Sequence, residues 1–168
     1  MSSKEWNNFS HEEIRDCLLV LSENFLCYMG STFSKKECKN VSDLILYYAG
    51  MTDKWHEISG YDNNIFSRRI IKKKTIGNIK IKLSRETGIL AFMKAILPAL
   101  VSGNTVTVSN YILNKRKVSE FYNLLNKSHI PDGTINISGE LDILYLEGNF
   151  AENPGDIEKY VITKEILY

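Results

Sequence analysis

The sequence predicts an α/β fold: a mostly parallel sheet with flanking helices. Three observations lead there. Apolar residues recur at helical spacing through the early part of the chain. Beyond Thr75 the pattern switches repeatedly between strict alternation and helical spacing, so strands and helices take turns. The intervening helices are long enough to act as crossovers, which join parallel strands and not hairpins.

Ser10 followed three residues later by Glu13 is a capping-box pattern, and Ile14, Cys17, Leu18, Leu21 and Phe25 follow at helical spacing. A helix is therefore expected over 10–28, stopped near Gly30. Val41, Leu44, Ile45, Tyr48, Met51 and Trp55 mark a second helix ending before Gly60, its aromatics read as core packing and not as a cofactor box. Ile79, Ile81 and Leu83 alternate with Lys80 and Lys82, as in a strand with one wet face. A helix over 87–100 stops at Gly103, and a Val- and Thr-rich strand covers 105–109. A polar helix over 114–125 ends before Pro131-Asp132-Gly133, with strands over 134–137 and 141–146 beyond it. The β-α-β-α-β order over 77–138 reads as a right-handed, Rossmann-like half. The organisation expected is one domain over 1–168: a helical lead-in (1–60), a basic ribbon with the first strand (61–83) and a Rossmann-like βαβ portion (84–168).

With 168 residues, 43% of them hydrophobic, the chain has material for one sizeable core. No apolar run reaches the roughly 18–20 residues that span a bilayer, and no signal peptide is seen, so a cytoplasmic protein with no membrane contact is expected. The 21 Lys+Arg nearly cancel the 20 Asp+Glu, which excludes a generically basic binder. The sum hides a segregation: Arg68, Arg69, Lys72, Lys73, Lys74, Lys80 and Lys82 have no acid between them, whereas the C-terminal part is acidic. A solvated strand face, or a sheet edge guarded by lysines, is the preferred reading of the basic stretch. Nucleic acid is not the expected partner, because only Phe66 lies nearby as an aromatic.

Cys17, Cys27 and Cys38 show no zinc spacing, and no metal site is expected. Cys17 and Cys27, inside an apolar helical pattern, are read as small buried hydrophobes. Cys38, among Lys35, Lys36 and Lys39, is the one whose surroundings favour a lowered pKa. His11, His56 and His129 are isolated and read as surface or locally hydrogen-bonded residues.

Four segments then point further. Tyr47-Tyr48-Ala49-Gly50-Met51-Thr52-Asp53-Lys54 resembles the "YYAG-x-x-DK" helix of the aldehyde dehydrogenase superfamily. Leu97-Pro98-Ala99-Leu100-Val101-Ser102-Gly103-Asn104-Thr105-Val106 resembles its "APALAAGNTVV" segment, a helix running into a strand. Ile130-Pro131-Asp132-Gly133-Thr134-Ile135-Asn136-Ile137 is similar to "LPPGVVNVV", and Phe66-Ser67-Arg68-Arg69 to "YTRREP". They occur in the family's order at closely similar spacing, over about 40–139. The resemblance implies the first part of an NAD(P)-binding domain with pieces of an oligomerisation ribbon. It also implies a reaction, aldehyde oxidation through a cysteine nucleophile, a glutamate that activates water and an asparagine in the oxyanion hole.

The departures from the family pattern are as informative as the matches. The oxyanion asparagine position holds Glu86, whose carboxylate would repel a developing oxyanion. The lysine and glutamate that the resemblance would place on the adenosine ribose are Ser109 and Ile112. The "FTGS" turn is matched only by Leu146-Glu147-Gly148-Asn149, where Gly148 survives, Asn149 replaces the serine and Glu147 brings a negative charge, so cofactor binding at Gly148 and Asn149 is expected to be weak or lost. The family's glutamate and cysteine motifs would fall beyond Tyr168, so the chain is expected to be a truncated, degenerate member without catalytic residues. No cofactor is expected; NAD or NADP would be the one if any. The leading expectation is a catalytically inactive binding or structural module that forms a homo-oligomer or takes a protein partner. The alternatives are an NAD(P)-dependent oxidoreductase component that completes its site with another chain, and a binder of nucleic acid or an acidic partner through Arg68, Arg69, Lys72, Lys73 and Lys74.

Overall fold

The computed structural model describes residues 5–52, 58–61, 68–83, 87–109, 115–138 and 161–167. The chain opens with helix α1 (His11–Tyr28), whose Ser10 and Glu13 form the expected reciprocal capping box. Helix α2 (Lys35–Met51) starts on a second box, Ser34 with Glu37. The sequence reading began this helix only at Val41, because the charged turn before it offers little apolar periodicity; the cap, not the stripe, decides where the helix starts. The two helices pack closely where Ser22 and Ser42 meet, their buried hydroxyls 2.7 Å apart. Residues this small let the backbones approach, and each hydroxyl satisfies the other.

Strand β1 (Ile58–Tyr61) and strand β2 (Arg68–Thr75) follow, then β3 (Asn78–Lys82), α3 (Ile89–Val101), β4 (Thr105–Ser109), α4 (Lys115–Lys127), β5 (Ile135–Ser138) and β6 (Val161–Leu167). Strands β3, β4 and β5 form a parallel sheet in that order, with α3 and α4 as the crossovers. This is the expected β-α-β-α-β unit, and the α/β class holds. The strand predicted over 141–146 lies outside the described residues.

Alternation gives the parallel sheet one apolar face: Ile79, Ile81, Val106, Val108 and Ile135 are buried. They share a core with α3, which is buried on nearly every side, and with Phe121, Leu124 and Leu125 of α4. Phe92 and Phe121 meet edge to face, with ring centroids 5.6 Å apart. On the outer side of α3 lie α1 and α2, and Trp6 donates its indole N–H to the Leu100 carbonyl at 3.2 Å.

The end of α3 is a Schellman turn. Gly103 adopts φ +75°, its N–H reaches the Leu100 carbonyl, and the Asn104 N–H reaches that of Ala99. Asn104 then accepts from the N–H groups of Ile76 and Gly77 at 2.8 and 2.9 Å, tying this turn to the β2–β3 connection. The helix-into-strand geometry implied for 97–106 is therefore present, with α3 ending at Val101 and β4 starting at Thr105.

The remaining strands build a second, antiparallel sheet in the order β1-β2-β6. Of the two readings of the basic stretch, the lysine-guarded edge is corrected for Arg68 to Lys74, because β2 is the middle strand, paired on both sides; Lys80 and Lys82 lie on β3, an edge strand of the parallel sheet. Its partner β6 comes from the part of the chain read as an acidic tail. Among the described residues no helix is long and apolar enough to cross a membrane.

Candidate functional site

In α/β sheets ligands gather at the carboxyl ends of parallel strands. Here that edge is a row of three residues in register, Lys82, Ser109 and Ser138. Ser109, on the central strand, is only 4% exposed, and its carbonyl accepts the Leu83 N–H at 3.1 Å. Ser138 Oγ is buried and, with Thr134 Oγ1, lacks a hydrogen-bond partner among the described residues. The edge offers short hydroxyls where the resemblance would put the ribose-binding lysine at position 109. A buried serine brings no cation toward a ribose or a phosphate and reaches less far than a lysine. Glu86, Ile112, Gly148 and Asn149 lie outside the described residues.

Behind this edge, the sheet face opposite the apolar core is polar. Asn78 donates to Thr105 Oγ1 at 3.0 Å and accepts from the Thr107 hydroxyl at 3.1 Å, while Lys82 and Asn136 are exposed. Parallel sheets are usually apolar on both faces because helices cover both. In this chain the alternation Asn-Ile-Lys-Ile-Lys and Thr-Val-Thr-Val-Ser confines the apolar contacts to one.

None of the cysteines sits at this edge. Cys17 is buried in the core of α1, where it donates to the His129 carbonyl at 3.6 Å; desolvation first, then Asp16 and Glu13, push its thiol up to about 11. Cys38 is also buried, and burial raises its pKa, helped by Glu37. The sequence reading expected the neighbouring lysines to lower it; desolvation prevails because the thiol turns into the helix pair, toward the Phe33 carbonyl at 3.8 Å. Cys27, expected inside, is exposed, because the helix phase carries it away from the Leu21–Phe25 side. His11 and His129 are exposed, His129 with φ 60°, and His56 lies outside the described residues. Among the described residues no group of three or more His, Cys, Asp or Glu is placed to hold a metal ion.

The best-defined charged cluster is structural. Glu120 of α4 accepts from the Thr32 hydroxyl and pairs with Arg116 at 2.9 Å, so the Thr32 bond first and Arg116 second hold its carboxyl below its usual range. Lys117 lies 4.9 Å from the centroid of the Phe33 ring. These contacts clip the α1–α2 turn onto α4.

The candidate partner-binding residues Arg68, Arg69, Lys72, Lys73 and Lys74 all fall on β2. The structure adds a residue that the sequence reading passed over: Lys164 of β6 is the direct cross-strand partner of Lys72. The density of β-branched residues at Val161-Ile162-Thr163 signals a strand, but nothing local says which strand it joins.

No family model matches the sequence, and no curated protein matches it. Solved structures do match. An NAD-dependent aldehyde dehydrogenase from Sinorhizobium meliloti superposes with a TM-score of 0.68 at 16% identity, covering 80% of this chain and 29% of that one. For a salicylaldehyde dehydrogenase from Pseudomonas putida G7, complexed with salicylaldehyde, the values are 0.66, 15%, 81% and 31%. For a betaine aldehyde dehydrogenase variant from Staphylococcus aureus in complex with NAD+ they are 0.65, 17%, 82% and 30%. The chain thus has an aldehyde-dehydrogenase-like fold and spans about three tenths of the length of these enzymes.

Proposed function

We propose that this aldehyde-dehydrogenase-like chain does not oxidise aldehydes and instead serves as a binding or structural module, assembled with itself or with a protein partner. The observation that carries this reading is Ser109, a buried hydroxyl at the end of the central parallel strand, where a nucleotide-binding member of the family would present a lysine. The residues at that edge do not fit a dinucleotide, and no hydride-transfer step is routed through them. The thiols agree: Cys17 and Cys38 are buried and held protonated, the opposite of an activated nucleophile. Support for assembly comes from Leu19, Leu26, Leu46 and Tyr47, exposed apolar side chains on α1 and α2.

A second reading keeps the chain as a component of an NAD(P)-dependent aldehyde oxidoreductase that completes its site with another polypeptide. What favours it is the fold shared with a structure holding NAD+. Calorimetric titration with NAD and with NADP separates the two. The first reading expects no saturable heat and no reduced cofactor with a panel of aldehydes; saturable binding by the purified chain overturns it.

A further inference from the structure

Helices α1 and α2 are joined by the short connection 29–34 and meet where Ser22 packs on Ser42, so they run antiparallel. On α1, Glu12, Asp16, Leu19, Glu23 and Leu26 recur at spacings of three and four and form one stripe; on α2, Lys35, Lys39, Asp43, Leu46 and Gly50 form another. All of these residues are exposed, with Leu19, Leu26 and Leu46 at 42, 50 and 46%. Leu19 and Leu26 stand three residues before and four after Ser22, as Lys39 and Leu46 stand to Ser42. In antiparallel helices the same rotation carries both stripes to the same side of the Ser22–Ser42 seam. The other side belongs to the core, which Leu18, Leu21, Val41 and Ile45 share with α3.

The exposed face is graded along its length. With Ser22 level with Ser42, Leu19 and Leu46 lie near its middle. Glu12 and Asp16 make one end acidic, Lys35 and Lys39 make the other basic, and Glu23 and Asp43 fall between. Asp16 pairs with Arg15 at 3.3 Å, whereas Glu12, Lys35 and Lys39 make no ion pair among the described residues. Helix stability does not account for Lys35, which opens α2, because a cation in the first turn opposes the helix dipole.

A two-fold axis through the leucines lays such a face on a copy of itself end for end, so that acid meets base twice and the apolar middles meet each other. At 1.5 Å per residue, helices of this length make a face about 27 Å long and roughly 20 Å across. Two copies would bury on the order of 1,000 Å² there, the size at which an interface becomes specific. We propose that the chain forms an isologous dimer through α1 and α2, a four-helix packing in which the acidic end of one copy seats on the basic end of the other. The proposal names the surface and the occupant for the assembly given above and rests on that reading only for there being an assembly. Its test is run without cofactor and stands or falls whether or not NAD(P) binds.

Sedimentation equilibrium of the full chain over a concentration series is expected to show one copy passing to two and no further. Leu19→Asp is expected to weaken dimerisation by on the order of tenfold or more, with the helical circular dichroism unchanged. The charge swaps Glu12→Lys/Asp16→Lys and Lys35→Glu/Lys39→Glu are each expected to weaken the dimer alone, since like charges then meet at both ends. Mixed in equal amounts, the two swapped chains are expected to recover a dimer, because opposite charges meet again at both ends; association through another surface does not produce that rescue. The idea is overturned by a monomer at every concentration, by open-ended growth beyond two copies, by a dimer indifferent to Leu19→Asp, or by a mixture that dimerises no better than either swapped chain.

Discussion

The two three-stranded sheets differ in strand length and direction: short parallel strands in one, and in the other an antiparallel pair, β2 and β6, of eight and seven residues. In the parallel sheet, Ile79, Ile81, Val106, Val108 and Ile135 sink one whole face into the core that α3 and α4 complete. In the antiparallel sheet, the register lines up Lys72 with Lys164 and keeps Arg68 and Lys74 on their side. The first sheet is held by what it removes from water, and the second joins strands far apart in the chain through backbone pairing. The difference teaches where each sheet gets its order: crossovers close by in the chain bury the aliphatic rows of the first, whereas the second depends on β6 returning to pair with β2.

The contrast can be broken first in the scaffold. Phe92→Ala removes a fully buried ring and its edge-to-face contact with Phe121, and is expected to cost about 3–5 kcal/mol in chemical denaturation. A loss below about 1 kcal/mol would mean that the core is not organised around α3 and α4 as described. The next effect tests the join between the regions. Gly103→Ala places a methyl group at φ +75° and against the Thr75 methyl, with an expected loss of about 1–3 kcal/mol. Thr75→Ser should recover part of that loss in a double-mutant cycle; strict additivity would show that the ribbon does not press on this turn.

Smaller effects sharpen the comparison. Ser34→Ala removes the cap that starts α2 and should cost about 1 kcal/mol in denaturation, close to the cost of Ser10→Ala. Cys17 adds a pH dependence to the scaffold. Its pKa is raised to about 11 from an ordinary 9.0, so the folded state keeps the proton longer than the unfolded chain does. Its contribution is complete below pH 9 and lost as pH rises through about 11. Denaturation midpoints measured from pH 8 to 11 should fall more steeply for the native chain than for Cys17→Ala.

Much of the scaffold was legible because its signals are short-range. The Ser10–Glu13 box, the alternation over 79–83 and 105–109, and the glycine after α3 each lie within one or two turns of the element they define. The start of α2 was not read, since Lys35 to Asn40 carries its instruction in Ser34 and Glu37 and not in an apolar stripe. Cys27 was misplaced for a related reason: at the end of an apolar helix a small shift of phase moves a side chain from core to solvent. At the candidate site, Ser109 was singled out by position, but that it is buried on the middle strand depends on β3 and β5 closing beside it.

Periodicity, capping and turn chemistry act through neighbours in the chain, so the sequence by itself determined the order of helices and strands in the body, the apolar face of the parallel strands and the departure of Ser109 from the family pattern. Tertiary structure alone decided that β2 is a middle strand and that Lys164, a residue of the acidic stretch, stands across from Lys72. The physical reason is that strand register is set between segments about ninety residues apart. No local signal encodes which cations will meet until the chain has brought β6 back alongside β2.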